Sequence, residues 1–316
     1  MQISGISPTI LALVLTLKFG VTYASEPGQI ITNQKASPVI VFDRGHNNYL
    51  YDEADQIFDQ FLLRHGFIVR YHRARIDEGT LEGVDVFHTS NALAPENVDN
   101  WSRPTPSAFT PDEIKVLVDW VRNGGSLLLA IEHMPFGGSY NELATALGIE
   151  VSNGFAMNGS LLHDYSPENV SAAGSLLFLR NNGSIADHPV INGQVPYGRI
   201  EHLATNAGSA FRLPVKSTSL ITLGSDVISL EPEESWVFTD DTPQPSVAGW
   251  SQAGIMEIGD GRVAVLGDNY LTSAPEYLEA PFIEDENEAR RGAHNHQFSL
   301  NLYRWLTHQE VDLESR

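Results

Sequence analysis

The first half of the chain alternates short apolar runs with stretches of helical periodicity. The apolar runs are "PVIVFD" from Pro38, "FIVRYH" from Phe67, "VDVFHTSNA" from Val84 and "SLLLAI" from Ser126. Between them, "LYDEADQIFDQFLLRHG" and "TPDEIKVLVDWVRNGG" place apolar residues at the spacing of an amphipathic helix. Strands that are apolar throughout are typical of parallel sheets covered on both faces. The pattern therefore predicts an α/β fold, with a mostly parallel sheet and helices on both of its faces.

The second half carries strand signals with weaker helical periodicity. "LLFLR", "SLITLG" and "DVISLE" are typical of strands, and "IMEIGDGRVAVLGD" predicts a hairpin that turns at Gly259–Gly261. "HNHQFSLNLYRWLTH" predicts a closing helix with Phe298, Leu302 and Trp305 on one face. With no linker to divide the chain, we expect one domain over residues 38–307. Its β-rich C-terminal half continues the sheet, and residues 308–316 form a tail.

The N-terminus has the pattern of a secretory signal peptide. "ISPTILALVLTL" is too short to span a bilayer comfortably, and "VTYA" places small residues before Ser25. We predict a signal peptide over residues 1–24, a polar linker over 25–37, and a secreted or periplasmic protein with no membrane span after processing. No Lys or Arg precedes the apolar run, which leaves an amphipathic or disordered tail as the alternative.

Composition excludes several classes of function. The formal charge is -21, from 19 Lys and Arg against 40 Asp and Glu, and a surface this acidic disfavours nucleic acid as a partner. The chain has no cysteine, which excludes a Cys nucleophile, a disulfide and thiolate metal ligands. It also has no phosphate loop, dinucleotide fingerprint, Gly-x-Ser-x-Gly or His-Glu-x-x-His motif.

Polar residues follow three of the predicted strands. Parallel sheets bind ligands beyond the carboxyl ends of their strands. We therefore expect a site at this edge of the sheet, formed by catalytic residues and by residues that bind the ligand. His133, His46 and Glu132 are the candidate catalytic residues, and Asp43, Asn47 and Asn91 are the candidate ligand-binding residues.

His133 has the strongest case among these, because the strand that precedes it leads into a turn and a helix. The N-terminus of that helix would keep the imidazole neutral, so that it could act as a base or bind a metal ion. The alternatives are a structural histidine at position 133, a helix-start carboxylate for Glu132 and an Asx turn for Asn91. Adjacent residues of a strand point to opposite faces, so Glu132 and His133 are not expected to act side by side.

The run "VDVFHTSNA", the capped helix, "GGSLLLAIEHMPFGG" and the next helix together resemble the class I glutamine amidotransferase-like superfamily, which has a flavodoxin-like architecture. In that superfamily the turn after this strand carries the Cys nucleophile, and here the matching positions are Glu132 and His133. The resemblance therefore implies a Cys-less branch without glutaminase activity. "ADHPVING", "GDGRVAVLGD" and "NHQFSLNLYRWL" are similar to segments of ThuA-like proteins and a related family of unknown function.

The resemblance adds His188, in "ADHPV", as a ligand-binding residue on a loop that folds back over the sheet edge. By its sequence alone, His188 is a surface turn residue. Asp268 and Asn269, which close a predicted strand, complete the candidate ligand-binding set. The sequence predicts no specific cofactor, but a divalent metal ion could be held by His46, His133 and His188, because three ligands from separate loops suffice.

Two hypotheses about function remain open. The favoured one is an exported hydrolase- or isomerase-like enzyme that acts on a small polar substrate, such as a carbohydrate derivative, and uses a cluster of histidines at the strand ends. The alternative is a non-catalytic domain that binds a ligand or a partner, with Trp101, Trp236 and Trp250 as exposed aromatic residues. Convergence of His46, His133 and His188 in one cleft would favour the enzyme, whereas dispersed histidines and a filled cleft would favour the binding domain. The oligomeric state is not predicted.

Overall fold

A nine-stranded sheet forms the centre of the part of the chain that the structure, a computed structural model, describes. That part comprises residues 36–49, 52–193, 198–272 and 294–309. The predicted signal peptide, nearly all of the predicted linker and most of the predicted tail lie outside these ranges.

Five strands of this sheet run parallel, in the order β2–β1–β3–β4–β13. Their bounds are Val39–Asp43 for β1, Ile68–His72 for β2, Val86–Ser90 for β3, Ser126–Ala130 for β4 and Gly261–Leu266 for β13. β4 is buried at all five positions, as expected for a strand covered on both faces. The mostly parallel α/β sheet predicted from the sequence is confirmed.

The second half extends the sheet with antiparallel strands, and this extension is also confirmed. The predicted hairpin forms between β12 (Ser251–Ile258) and β13, and β12 also pairs with β9 (Phe211–Arg212) and β10 (Thr218–Thr222). β5 (Glu150–Val151) closes this end through β9.

Four strands depart from the expected continuation. β6 (Phe155–Asn158) pairs with β11 (Val227–Leu230), and β7 (Ser175–Leu179) pairs with β8 (His202–Asn206), so each pair forms a sheet of its own.

Helices cover both faces of the central sheet. On one face, apolar side chains of α1 (Asp52–Arg64) and of the closing helix α7 (Asn295–Leu306) join the core that includes Leu128. On the other, α2 (Pro111–Arg122), α3 (Phe136–Ser139) and α4 (Asn141–Ala146) pack over Leu127 and Leu129. Two further helices are α5 (Pro167–Gly174) and α6 (Pro189–Asn192). None of the helices in the described ranges has the length and apolar content needed to cross a bilayer.

Helix α2 begins with a capping box and a proline, two features of its sequence that are typical of helix N-termini. The Thr110 hydroxyl accepts a hydrogen bond from the Glu113 backbone N–H, and the Glu113 carboxylate accepts one from the Thr110 N–H in return. Pro111 occupies the first turn, where its missing N–H costs no hydrogen bond. This capping box fixes the position of the Glu113 carboxylate.

The strand order places the candidate residues at one edge of the sheet. β1 lies between β2 and β3, so the direction of winding reverses between β1 and β3. Open α/β sheets bind ligands at such a reversal, beyond the carboxyl ends of the strands. Asp43, Asn91, Glu132 and Asp268 lie at or just beyond the carboxyl ends of β1, β3, β4 and β13.

Candidate functional site at the carboxyl edge of the sheet

His46 lies at the reversal point, between two buried carboxylates. Its Nδ1 is 2.9 Å from Asp43 Oδ1, and its Nε2 is 3.1 Å from Glu113 Oε1. Burial alone would raise the pKa of Asp43 and of Glu113. The hydrogen bonds that each accepts outweigh burial, lowering the pKa of Asp43 below its usual 3.8 and that of Glu113 to about 2. Both carboxylates are thus ionised acceptors.

The imidazole of His46 therefore donates from both nitrogens and is held as an imidazolium. Burial disfavours this charge, but Asp43 and Glu113 together raise the pKa of His46 above 6.5. In this arrangement neither nitrogen has a lone pair with which to accept a proton or bind a metal ion. In this protonation state His46 can donate a proton but can neither accept one nor bind a metal ion.

The loop after β1 fills the crevice at the reversal point. Tyr49 N donates to Asn91 O, Asn91 Nδ2 donates to Tyr49 O, and Asn48 Nδ2 donates to Ser90 O. Asn47 donates from Nδ2 to Leu93 O. Asn47 and Asn91 have φ angles of +49° and +50°, a left-handed conformation that asparagine tolerates better than most residues. In the described structure these two amides join the loops together.

Of the two ring nitrogens of His133, Nδ1 is hydrogen-bonded within the described part of the protein and Nε2 is not. Its Nδ1 is 2.7 Å from Met134 O, and since a carbonyl only accepts, Nδ1 carries the proton. Burial lowers the pKa of His133 to about 4, against the opposing effect of the Met134 hydrogen bond. The ring is therefore neutral near pH 7, as expected from the sequence, but burial rather than the following helix is the main cause. Nε2 is left as an acceptor.

Nε2 of His133 has no hydrogen-bond partner in the described ranges. The atom is also not one of the fully enclosed unpartnered atoms in that part of the chain, so a small part of its surface is exposed.

Aromatic side chains surround the His133 ring. It stacks on Phe155 with ring centroids 4.5 Å apart, and Trp236 meets it edge-on at 4.8 Å. Trp101 lies 6.0 Å away, and Tyr49 meets Trp101 edge-on at 5.1 Å. Tyr49 and Trp236 are 43% and 47% exposed, so the group combines a buried base with solvent-facing rings. We call Tyr49, Trp101, His133, Phe155 and Trp236 the aromatic site.

Two distant loops bring the tryptophans of the aromatic site together. Arg103 N donates to Glu233 O, and Ser235 N donates to Trp101 O, which ties residues 101–103 to residues 233–235. Ser235 Oγ also donates to Met134 O, the carbonyl that receives His133 Nδ1. Trp236 has a φ of +66°, an unusual conformation for a bulky residue and one that recurs at binding sites.

Glu132 forms a second polar centre, with Asp268. The two side chains are 5% and 1% exposed and are hydrogen-bonded to each other. Burial and the charge of Asp268 raise the pKa of Glu132 well above 4.5, and burial raises that of Asp268 to about 6. Glu132 is accordingly the proton donor of the pair, and Asp268 is the acceptor.

Backbone N–H groups complete this carboxyl pair. Asn269 N donates to Glu132 Oε1 at 3.1 Å, Tyr270 N donates to Asp268 Oδ1 at 2.8 Å, and Asn206 N donates to Asp268 Oδ2. The contact between residues 132 and 268 follows from the parallel pairing of β4 with β13. The expectation that Glu132 and His133 do not act side by side agrees with their separate surroundings.

His188 is the N-cap of α6, where its Nδ1 accepts a hydrogen bond from Val190 N at 3.2 Å. This matches the turn role read from the sequence. Among the residues that the structure describes, no group of three or more His, Asp or Glu side chains is arranged to hold a metal ion. His46, His133 and His188 therefore do not form the expected ligand set.

Two partners in these sites could not be identified from the sequence, and a third residue lies elsewhere than expected. Glu113 is part of the capping box of α2, but its other carboxylate oxygen also accepts a hydrogen bond from His46. Phe155 gave no signal beyond a short apolar run. Trp250 is not part of the aromatic site, because it packs against the core and Arg212 lies over its ring at 4.3 Å.

No protein-family model matches the chain, and no curated protein does either. Several solved structures do. The mmIFT52 N-terminal domain has a TM-score of 0.55 at 15% identity, covering 87% of this chain and all (100%) of that one. At this identity the likeness shows the fold alone.

Two ThuA-like proteins are also similar to the chain. The one from Bacteroides uniformis has a TM-score of 0.44 at 11% identity, over 87% of this chain and 94% of that one. The one from Parabacteroides merdae has a TM-score of 0.41 at 11% identity, over 88% and 92% of the two chains. Scores this low carry no argument about function, and membership of the amidotransferase-like superfamily stays an interpretation of the sequence.

Proposed function

We propose that this chain is a non-catalytic domain that binds a saccharide at the aromatic site. The observation that supports this most directly is the free Nε2 of His133, held as an acceptor among exposed aromatic rings. Sugar rings present flat C–H faces that pack on Trp and Tyr, and hydroxyl groups that donate to a neutral imidazole. Sites for small molecules combine such apolar walls with a few placed polar groups.

The protonation states favour binding over catalysis. A general base works best when its pKa lies near the working pH, and burial lowers the pKa of His133 to about 4. Such an imidazole is a weak base but a good hydrogen-bond acceptor. His46 is an imidazolium between two carboxylates, so it offers no second base. The binding hypothesis expects histidines that do not act together, and His46, His133 and His188 each contact different groups.

The carboxyl pair favours a second candidate, the hydrolase- or isomerase-like enzyme. Two carboxyl groups whose surroundings separate their pKa values are a common acid–base arrangement, and a pKa of about 6 for Asp268 suits work near neutral pH. Against this candidate, both side chains are buried and three backbone N–H groups already bind them. In either case we propose that the protein acts after export, as its N-terminus suggests.

A glycan array probed with the purified chain tests the proposal. We expect binding to at least one oligosaccharide, loss of that binding in Trp236→Ser, and its retention in Val237→Ser. Val237 is the matched control because it is the neighbouring residue and is also exposed, at 50%. His133→Phe keeps a flat ring on Phe155 but removes Nε2, so we expect it to weaken binding.

Two results would decide against the proposal. The first is an array without any signal from the folded chain. The second is a signal that survives both Trp236→Ser and His133→Phe. Turnover of a bound glycan that Glu132→Gln abolishes would instead establish the enzyme.

A further inference from the structure

The loop that carries Trp236 is strongly acidic. Residues 231–241 read "EPEESWVFTDD" and hold five carboxylates, Glu231, Glu233, Glu234, Asp240 and Asp241, with no Lys or Arg. Glu233, Glu234 and both aspartates are exposed. We call these four residues the acidic rim.

The charge of the acidic rim is not neutralised by its neighbours. Arg103 lies beside this loop, with its Nη2 3.9 Å from Glu231 Oε2 and 3.1 Å from Asn153 O. Arg103 therefore pairs with Glu231, which lies outside the rim. Within the described ranges none of the four rim carboxylates takes part in an ion pair. Glu233 and Glu234 lie within three residues of Trp236 in the sequence, so a ligand that packs on Trp236 binds on an acidic loop.

Acidic loops are common, and the second observation that marks this one as a site is His133. Its side chain is 6% exposed, its ring meets Trp236 edge-on, and its Nε2 has no partner in the described ranges. Because the ring is uncharged near neutral pH, it does not repel a cation. A protonated amine can donate to Nε2 as readily as a hydroxyl group, and Trp rings attract cations through their faces.

We infer that the aromatic site selects a cationic amino sugar over its neutral N-acetylated counterpart. This inference rests on the proposed binding function and names the class of saccharide. The sugar ring packs on Trp236, an ammonium or hydroxyl group donates to His133, and the acidic rim attracts the positive charge. A neutral sugar would make the same packing contacts but gain nothing from the rim.

Two trisaccharides that differ only in N-acetylation provide the test. The glucosamine trimer and the N-acetylglucosamine trimer are titrated into the full chain at pH 6, where the glucosamine amines are protonated, and binding is followed by calorimetry. We expect the glucosamine trimer to bind about tenfold more tightly at low salt. The preference should shrink in Glu233→Gln/Glu234→Gln, which keeps the shape of both side chains.

A charge-matched variant separates the rim from the net charge. Glu78→Gln/Glu82→Gln removes two exposed carboxylates from the turn before β3, and we expect it to keep the preference. Equal binding of the two trimers, tighter binding of the N-acetylated one, or an equal effect of both double variants would overturn the inference. Those outcomes leave saccharide binding standing, which fails separately if the array shows no glycan bound.

Discussion

Replacing Glu132 with Gln should stabilise the protein at neutral pH, although it removes a buried, hydrogen-bonded side chain. Glutamine can still accept from Asn269 N through its carbonyl oxygen and donate to Asp268 through its amide. It lacks only the ionisable proton. The substitution therefore separates the hydrogen bonds of the carboxyl pair from its charge.

The raised pKa of Glu132 gives the magnitude. At pH 8 the unfolded chain ionises Glu132, whereas the folded state either keeps the proton or buries a second charge beside Asp268. Each pH unit by which a carboxyl pKa is raised disfavours the ionised folded state by about 1.4 kcal/mol. Glutamine carries no such cost, so we expect Glu132→Gln to recover about 1–3 kcal/mol of unfolding free energy at pH 8. The pKa of Asp268 is raised by burial, which the substitution leaves in place.

The sign of the pH dependence follows from the same shifts. Raised carboxyl pKa values mean that the folded state binds more protons than the unfolded chain, so the pair contributes most stability below about pH 4. That contribution is lost as the pH rises through the folded-state pKa values, which are about 6 for Asp268 and well above 4.5 for Glu132. Urea unfolding of the wild type and the variant at pH 4, 6 and 8 should show a difference that grows with pH.

Asp268→Asn is the matched control. Its single carbonyl oxygen cannot accept from both Asn206 N and Tyr270 N, so one buried N–H loses its partner. We expect a loss of about 1–3 kcal/mol at pH 4. The loss should be smaller at pH 8, because the variant no longer ionises a buried carboxyl group at this position. The reasoning would be refuted if Glu132→Gln were less stable than the wild type at pH 8, or if the difference between them did not change with pH.

Three further predictions concern the rest of the sheet edge. His46→Ala should lower the unfolding free energy in urea by about 3–5 kcal/mol, because it leaves two buried carboxylates unpaired; a loss below about 1 kcal/mol would contradict the imidazolium. The NMR chemical shifts of the His133 ring should titrate with a pKa of about 4 and stay constant between pH 6 and 8. A titration midpoint between pH 6 and 8 would instead support a role for His133 as a general base. Thr110→Ala should cost about 1 kcal/mol in thermal unfolding through the lost helix cap, and Thr110→Ser should cost much less.

The sequence was sufficient to predict that the carboxyl edge carries the polar residues, because each lies directly after an apolar strand. It could not show which of them meet. Glu132 and Asp268 lie 136 positions apart, and their contact depends on the register of β4 against β13, which no local pattern encodes. The sequence around Glu113 is typical of a capping box, which explains the contacts of one carboxylate oxygen. It does not indicate that the other oxygen contacts His46. The periodicity of apolar residues predicts helices and strands, whereas contacts between side chains far apart in the sequence depend on how those helices and strands pack.

β13 lies between β4 and β12 although it is the last strand in the described part of the chain. A ribosome therefore completes β4 more than 130 residues before the strand that covers its open side is made. Until then, the run Ser126–Ala130 presents an unpaired apolar edge, the kind that recruits other chains into aggregates. Expression of fragments that end before residue 261 should accordingly yield insoluble protein, and chaperone demand should be highest just before the hairpin is translated.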